Sequence, residues 1–284
     1  MDDACLVDGT PDAMLPTDDR GLAYGDGIFR TLRVESGAIV AWQAHMSRLT
    51  YDCDALELDR PDPRTLRADA ARLFVDGGSG VLKIVITRGS GGRGYAPPDR
   101  GSRRIVSRHA LPPHAGDTPA PLELERADLV LGEQPRLGGV KHLNRLEQVL
   151  ARAECARRGL ADAYLCTADG SIVATTMRNL LFRDETGRWL TPRLSRAGVA
   201  GATRARLMHA LQIAGTPVIE TEIGMDDMAG VHAVIACNSV GGVVAVTRMG
   251  DLQPRDSTSA AADCRRLIET DEKPVPLTGD STGE

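Results

Sequence analysis

Between Leu111 and Pro121 the chain reads Leu-Pro-Pro-His-Ala-Gly-Asp-Thr-Pro-Ala-Pro, and a stretch so rich in Pro and Gly supports neither a helix nor a sheet ladder. It splits the 284 residues into a shorter and a longer part, read here as an N-terminal α+β domain over 1–110, an interdomain linker over 111–121 and a C-terminal domain over 122–284 with a polar tail from about residue 269. Upstream of the break, a short first strand precedes a hairpin over 28–34 and 38–42 around the turn signal Glu35-Ser36-Gly37. Helical patterns follow over 44–56 and 63–75, the first placing His45, Arg48 and Leu49 on one face by i, i+3, i+4 spacing. Strands over 81–87 and 104–107 close that unit.

Downstream, residues 122–131 alternate as a strand, and Leu143, Leu146, Val149, Leu150 and Ala153 predict an apolar helix stripe that stops near Gly159. A hairpin over 163–167 and 172–174 turns at Asp169-Gly170, and strands are expected over 179–182, 189–191, 218–221, 231–237 and 243–247, with a helix over 203–213. A last helical pattern covers 261–268, beyond which the tail reads as frayed. Helices and strands are mixed without the regular βαβ alternation of a doubly wound sheet, so two lobes, α+β and mixed α/β, fit better than one parallel fold.

Charge and cysteine usage exclude several function classes. The formal net charge is −5 and no basic run tracks a nucleic-acid backbone, so neither nucleic acid nor an anionic membrane is expected as a partner. No apolar stretch reaches membrane-spanning length and no basic-then-apolar leader opens the sequence, so a cytoplasmic location is expected. Six scattered cysteines lack metal-ligand spacing and read as thiols in a reducing compartment, with no metal site.

Of the 34 basic residues only three are lysines, Lys83, Lys141 and Lys273. Where arginine serves almost every plain positive charge, a retained lysine suggests chemistry that a guanidinium cannot do: losing its proton, or bonding to a carbonyl carbon. Lys273 sits in a polar tail, and Lys83 alternates within an apolar strand as an edge or solvated residue. Lys141 follows Gly138-Gly139-Val140 and precedes a helical pattern, where the helix dipole disfavours a cation and weakens an ordinary surface role.

Four ordered motifs carry a resemblance. Asp19-Arg20-Gly21-Leu22-Ala23-Tyr24-Gly25-Asp26-Gly27-Ile28-Phe29, His45-Met46-Ser47-Arg48-Leu49, Arg88-Gly89-Ser90-Gly91-Gly92-Arg93-Gly94-Tyr95 and Lys141-His142-Leu143-Asn144-Arg145-Leu146-Glu147-Gln148-Val149 resemble, over roughly residues 15–250, the fold-type IV pyridoxal-phosphate enzymes, the D-amino acid and branched-chain aminotransferase group. The last two look like aminodeoxychorismate lyases. The resemblance implies a two-domain fold of that type, and a Schiff base between Lys141 and pyridoxal 5'-phosphate with the freed amine acting as general acid and base. It further implies phosphate contacts from Arg48, from Gly201, Ala202 and Thr203 at a helix start, and from Asn238 and Ser239. Read alone, Arg48 is a helix-surface charge and the two later segments are capped turns. Phe29 and Thr31 share a strand face with Arg33 that the resemblance turns toward the substrate, Thr31 as a catalytic helper. Arg93 and Tyr95 match carboxylate-recognising positions that relatives extend across a homodimer interface; without the resemblance, their glycine-rich surroundings read as a mobile loop.

One position departs from the pattern. Ala174 stands where relatives carry a glutamate that hydrogen-bonds the pyridine nitrogen, leaving Thr175 or Thr176 as a neutral substitute. A cofactor without that carboxylate is a weaker electron sink, which costs transamination more than an elimination that gains aromaticity. The implied reaction is therefore conversion of 4-amino-4-deoxychorismate to 4-aminobenzoate and pyruvate, in folate biosynthesis. The alternatives are a D-amino acid or branched-chain aminotransferase, and a catalytically silent pyridoxal-phosphate binder.

Overall fold

A computed structural model describes residues 4–11, 13–98, 101–112, 119–269 and 271–277. The chain forms two compact units, Met1–Pro113 with Lys141–Asn144 and Glu272–Glu284, and His114–Val140 with Arg145–Asp271. This partition is not the consecutive one drawn at residues 110 and 121: a four-residue segment carrying Lys141 and the final segment both group with the first unit. Residues 113–118 of the expected linker lie outside the described residues.

The first unit contains β1 (Ala4–Val7), β2 (Thr10–Pro11), α1 (Arg20–Tyr24), β3 (Gly27–Glu35), β4 (Ala38–Ile39), α2 (Trp42–Ala55), α3 (Pro63–Leu73), β5 (Gly80–Thr87) and β6 (Arg103–His109). The second contains β7 (Leu122–Leu131), α4 (Leu146–Arg158), β8 (Asp162–Thr167), β9 (Ile172–Thr175), β10 (Asn179–Asp184), β11 (Trp189–Pro192), α5 (Ala202–Ile213), β12 (Val218–Thr221), β13 (Val231–Asn238), β14 (Gly242–Met249) and α6 (Ser257–Glu269). A last strand, β15 (Val275–Pro276), returns to the first unit and pairs antiparallel with β4.

In the first unit the strands run in the order β15-β4-β3-β5-β6-β1-β2, all antiparallel. Alternation along β3 buries Ile28, Arg30, Leu32 and Val34, with Phe29, Thr31 and Arg33 half-buried on the other face. Register puts Arg30 beside Ile84, Leu32 beside Leu82 and Thr31 beside Lys83. Because β5 is interior, Lys83 is not an edge residue; it is half-buried on the Thr31 face. The expected hairpin is shorter than drawn, since β4 ends at Ile39 and Trp42 already opens α2.

The tail is tied down. Glu272 accepts from the backbone N–H of Gln43 (2.7 Å) and Ala44 (3.5 Å), capping the start of α2, whose own N-cap residue Ala41 offers no side-chain acceptor. Leu277 donates its N–H to the carbonyl of Gly37 (2.9 Å). A polar cap and edge pairing thus order a segment whose composition reads as frayed.

In the second unit the order is β12-β11-β10-β13-β14-β7-β8-β9, with parallel pairs at β11/β12, β14/β7 and β7/β8. Its central strands are buried on both faces: Leu180, Phe182, Val234 and Ala236 feed one core, while Leu181, Ala233, Ile235 and Cys237 pack with α5 and α6 in the other. On α4 the apolar stripe is reversed from the expected one. Leu146, Val149 and Leu150 are exposed, and the buried side is Ala151, Glu154 and Cys155, with Glu154 accepting from the N–H groups of Asp128 and Leu129.

Candidate functional site

The first group of site residues is built around β3. Its short neighbour β4 covers only Val34 and Glu35, which leaves the Gly27 to Phe29 edge open. The segment carrying Lys141 takes that edge as a strap: Phe29 donates its N–H to the Lys141 carbonyl (3.0 Å), Leu143 donates to the Gly27 carbonyl (2.9 Å), and Asn144 Nδ2 reaches the Gly25 carbonyl (3.2 Å). Two glycines permit this approach. A Cβ on Gly25, at φ +65°, would stand 2.4 Å from Asn144 Oδ1, and one on Gly27 would meet the Ile86 carbonyl at 2.5 Å and Leu143 Cδ1 at 2.8 Å. Leu143 is therefore a strap residue, not the first of a helix stripe, and α4 begins only at Leu146. The helix-dipole argument for Lys141 consequently does not apply; what distinguishes the residue is that its backbone is stitched to a sheet edge.

The strap holds the Lys141 amine 4.2 Å from the Phe29 ring centroid, and the Lys83 amine approaches the same ring at 5.7 Å. Phe29, Thr31, Lys83 and Lys141 thus form one cluster carrying two primary amines. Beneath it, Asp52 of α2 is fully buried and accepts from the backbone N–H of Lys141 and from the guanidinium of Arg30, which is itself 1% exposed. Arg48 lies 3.9 Å from the other Asp52 oxygen and stacks over Tyr51 at 4.3 Å. Burial raises the Asp52 carboxyl pKa against the opposing pull of Arg30 and Arg48. One carboxylate therefore ties together Arg30, Arg48 and Lys141 from three separate segments.

The loop with Arg93 and Tyr95 is anchored by its backbone. Arg20 donates to the carbonyls of Gly94 (3.0 Å), Tyr95 (3.0 Å) and Ala96 (3.3 Å) and pairs with Asp26 at 2.8 Å. Burial pushes Asp26 up, but hydrogen bonds from Arg88 and Arg20 outweigh it and hold the carboxyl below the usual range. The Arg93 and Tyr95 side chains are exposed, Tyr95 to 86%, with its ring 5.5 Å from that of Tyr24.

The second unit brings together the residues expected to meet a phosphate. Helix α5 starts at Gly201 without a side-chain cap. Asn179 holds this start by accepting from the Gly201 N–H (3.1 Å) and donating to the Val199 carbonyl (2.7 Å). A Cβ on Gly201 would lie 2.4 Å from Asn179 Oδ1, so any side chain there displaces the amide that holds this start. Ala202 and Thr203 are buried, and Thr203 Oγ1 lies 3.2 Å from Ser239 Oγ. Asn238 Oδ1 accepts from the N–H groups of Val240 (3.2 Å) and Gly241 (2.7 Å), shaping the turn that carries Ser239. The result is a cradle of two hydroxyls and an uncapped helix start, suited to an oxyanion.

Nearby, Ala174 is half-buried, and both threonines after it are committed. Thr175 Oγ1 (2.8 Å) and Thr176 Oγ1 (2.5 Å) donate to the buried Asp162. Their protons are spent there, so the neutral substitute expected at this position is not offered by either hydroxyl.

The Amino-transferase class IV pattern matches residues 27–249, which spans both β3 and the Asn238 turn. The chain belongs to that family. It is 36% identical over 244 residues to the aminodeoxychorismate lyase of Vibrio harveyi, covering 85% of this chain and 89% of the relative. Among solved structures, the 4-amino-4-deoxychorismate lyase of Pseudomonas aeruginosa superposes with a TM-score of 0.83 at 36% identity, over 94% of this chain and 98% of that one. The branched-chain amino acid aminotransferase of Escherichia coli shares the fold (TM-score 0.80, 16% identity, 99% and 97% coverage), which identifies this structure as fold-type IV.

Sequence reasoning missed two residues of the Lys141 cluster. Lysine scarcity could have singled out Lys83, had its strand been taken as interior. Asp52 lies one helical turn beyond Arg48, an i+4 spacing open to inspection.

Proposed function

We propose that this chain is a pyridoxal-phosphate-dependent lyase that converts 4-amino-4-deoxychorismate to 4-aminobenzoate and pyruvate. The observation that carries the reading is the Lys141 strap: in a chain almost without lysine, one primary amine is fixed by its own backbone to the edge of β3 and held over Phe29. Similarity at 36% identity over most of both chains to two lyases of that name supports the choice of reaction.

The cofactor's fit rests on the residues themselves. The cradle of Thr203, Ser239 and the uncapped α5 start suits a phosphate monoester. Arg48 supplies a guanidinium, and Lys141 supplies the amine that bonds to the cofactor aldehyde. When bound, pyridoxal phosphate supplies an electron sink for charge at the amine-bearing ring carbon. Lys141 Nζ removes the proton from that carbon, the carbon–oxygen bond to the enolpyruvyl group breaks, and the ring becomes aromatic. The same amine returns the proton to the methylene carbon of the departing enolpyruvate, giving pyruvate, with Thr31 as a helper on the same strand face. Phe29 packs beside the amine; Lys83, with Arg93 and Tyr95 from the anchored loop, meets the substrate's carboxylates.

The reading includes a cytoplasmic homodimer in folate biosynthesis. The exposed Leu146, Val149 and Leu150 stripe on α4 supports self-association, and among the described residues no helix is long and apolar enough to cross a membrane. The deciding experiment supplies purified holoprotein with 4-amino-4-deoxychorismate and no 2-oxo acid. Sustained release of 4-aminobenzoate and pyruvate in equal amounts is expected; a stop after one turnover overturns the lyase reading in favour of an aminotransferase.

A further inference from the structure

The least explained polar group in the second unit is the guanidinium of Arg178. It stands at the end of a tight turn in which Thr175 donates its N–H to the Arg178 carbonyl (2.9 Å) and accepts the Arg178 N–H on Oγ1 (3.0 Å), so its backbone is fixed. Yet Nε and Nη1 are both buried without a hydrogen-bond partner. Those two atoms carry three N–H donors on a charged group, and leaving such donors buried and unmade is unfavourable. Burial lowers the Arg178 pKa, and Asp162 is the carboxylate whose charge opposes this. The hydrogen bonds that Asp162 accepts come instead from the N–H groups of Ala163 and Thr176 and the hydroxyls of Thr175 and Thr176.

Position supplies the second observation. A Cβ built on Gly241 would stand 3.1 Å from Arg178 Nη2 and 3.4 Å from Nη1, so the guanidinium lies against the turn that carries Ser239. That turn is tied back to the Arg178 turn by Asn238 Nδ2, which donates to the Met177 carbonyl (3.3 Å). Through Ser239 it also meets Thr203 at the uncapped start of α5. A desolvated cation with free donors beside two hydroxyls and a helix start is a set of groups that lacks only its anion.

We propose that Arg178 is an oxyanion ligand of this cradle, its guanidinium at the Gly241 turn meeting a phosphate or carboxylate of the bound molecule. The proposal deepens the lyase reading and rests on it for the identity of that molecule, which is either the cofactor's phosphate or a carboxylate of the substrate. It also accounts for arginine rather than lysine here, because a planar fork can meet two oxygens at once.

The test compares the wild type with Arg178→Gln and Arg178→Lys. In the first arm the cofactor-free protein is titrated calorimetrically with inorganic phosphate. Arg178→Gln is expected to weaken binding about ten- to a hundredfold, with Arg178→Lys recovering part of the loss, circular dichroism unchanged and Tm not lowered. In the second arm, affinities for pyridoxal phosphate and for pyridoxal are measured by absorbance. If the phosphate is the ligand, Arg178→Gln erases most of the preference for the phosphorylated form; if a substrate carboxylate is the ligand, that preference stays and KM rises about tenfold at near-constant kcat. Phosphate binding, cofactor preference and KM all within twofold of wild type would overturn the proposal. A wild type that binds inorganic phosphate through Arg178 but neither takes up pyridoxal phosphate nor turns over substrate would sink the lyase reading and leave the anion site standing.

Discussion

The strap in the first unit and the cradle in the second use their polar groups differently. Around Lys141 one shared acceptor gathers them: the strap's backbone pairs with β3, and Asp52 collects Arg30, Arg48 and the Lys141 N–H. Around Ser239 the donors are withheld, with α5 uncapped and Arg178 unpartnered at Nε and Nη1. The contrast separates two tasks. An amine that must attack and carry protons is useful only when its position is fixed beforehand, whereas a seat for an anion must keep its donors unspent until the anion arrives.

The largest expected effect breaks the first region at its reactive atom. Lys141→Ala should lower turnover by about a thousandfold or more and remove the yellow absorbance of the holoprotein, measured by pyruvate release and by spectrum. Retention of turnover would take the strap out of the chemistry.

Next comes the carboxylate beneath it. Asp52→Ala leaves Arg30 buried without its partner and should cost about 3–5 kcal/mol in urea unfolding, while the pair replacement Arg30→Met with Asp52→Leu should recover most of that stability. The recovered double variant should still bind pyridoxal phosphate more weakly than wild type, because Arg48 and the Lys141 N–H have lost their common acceptor. Full affinity in that variant would show Asp52 to be structural only.

In the second region, Gly201→Ala puts a methyl against Asn179 Oδ1 and should cost about 1–3 kcal/mol of stability along with cofactor affinity, with lysine chemistry at saturating cofactor largely preserved. Equal loss of kcat would blur the division of labour drawn above.

The smallest effect lies in the cores. Burial pushes the Cys237, Cys264 and Cys53 thiols up from 9.0 to about 12. Because the folded value exceeds the unfolded one, their contribution is complete below about pH 9 and is lost as pH rises from there toward 12. Urea midpoints should therefore be flat through neutral pH and decline above pH 9, and a thiol reagent at pH 8 should react fast with the exposed Cys5 alone among the six cysteines.

Much of the fold was legible because period and punctuation agree locally. The strands at 122–131 and 218–221 match β7 and β12 to the residue, and Gly159 ends α4 in the left-handed conformation. The failures occur where a distant segment decides. The α4 stripe reads as core, yet Glu154 is buried instead because two N–H groups of β7 need an acceptor. Glu272 and Val275 look like tail, yet they cap α2 and pair with β4. In the candidate site, Phe29 lies with Lys141 in one local group and Thr203 with Ser239 in another. Lys83, Asp52 and Arg178 carry no role in the motifs because each matters through a neighbour remote in sequence: the Phe29 ring, the Lys141 N–H and the Gly241 turn.

The return of Glu272 and β15 has a consequence for biosynthesis. A ribosome releases β4 and α2 long before the segment that pairs with one and caps the other, so the first unit stays open at the β4 edge and at the start of α2 until residues 272–276 have emerged. Nascent chains stalled before residue 272 should remain protease-sensitive around α2 even when the second unit is already resistant.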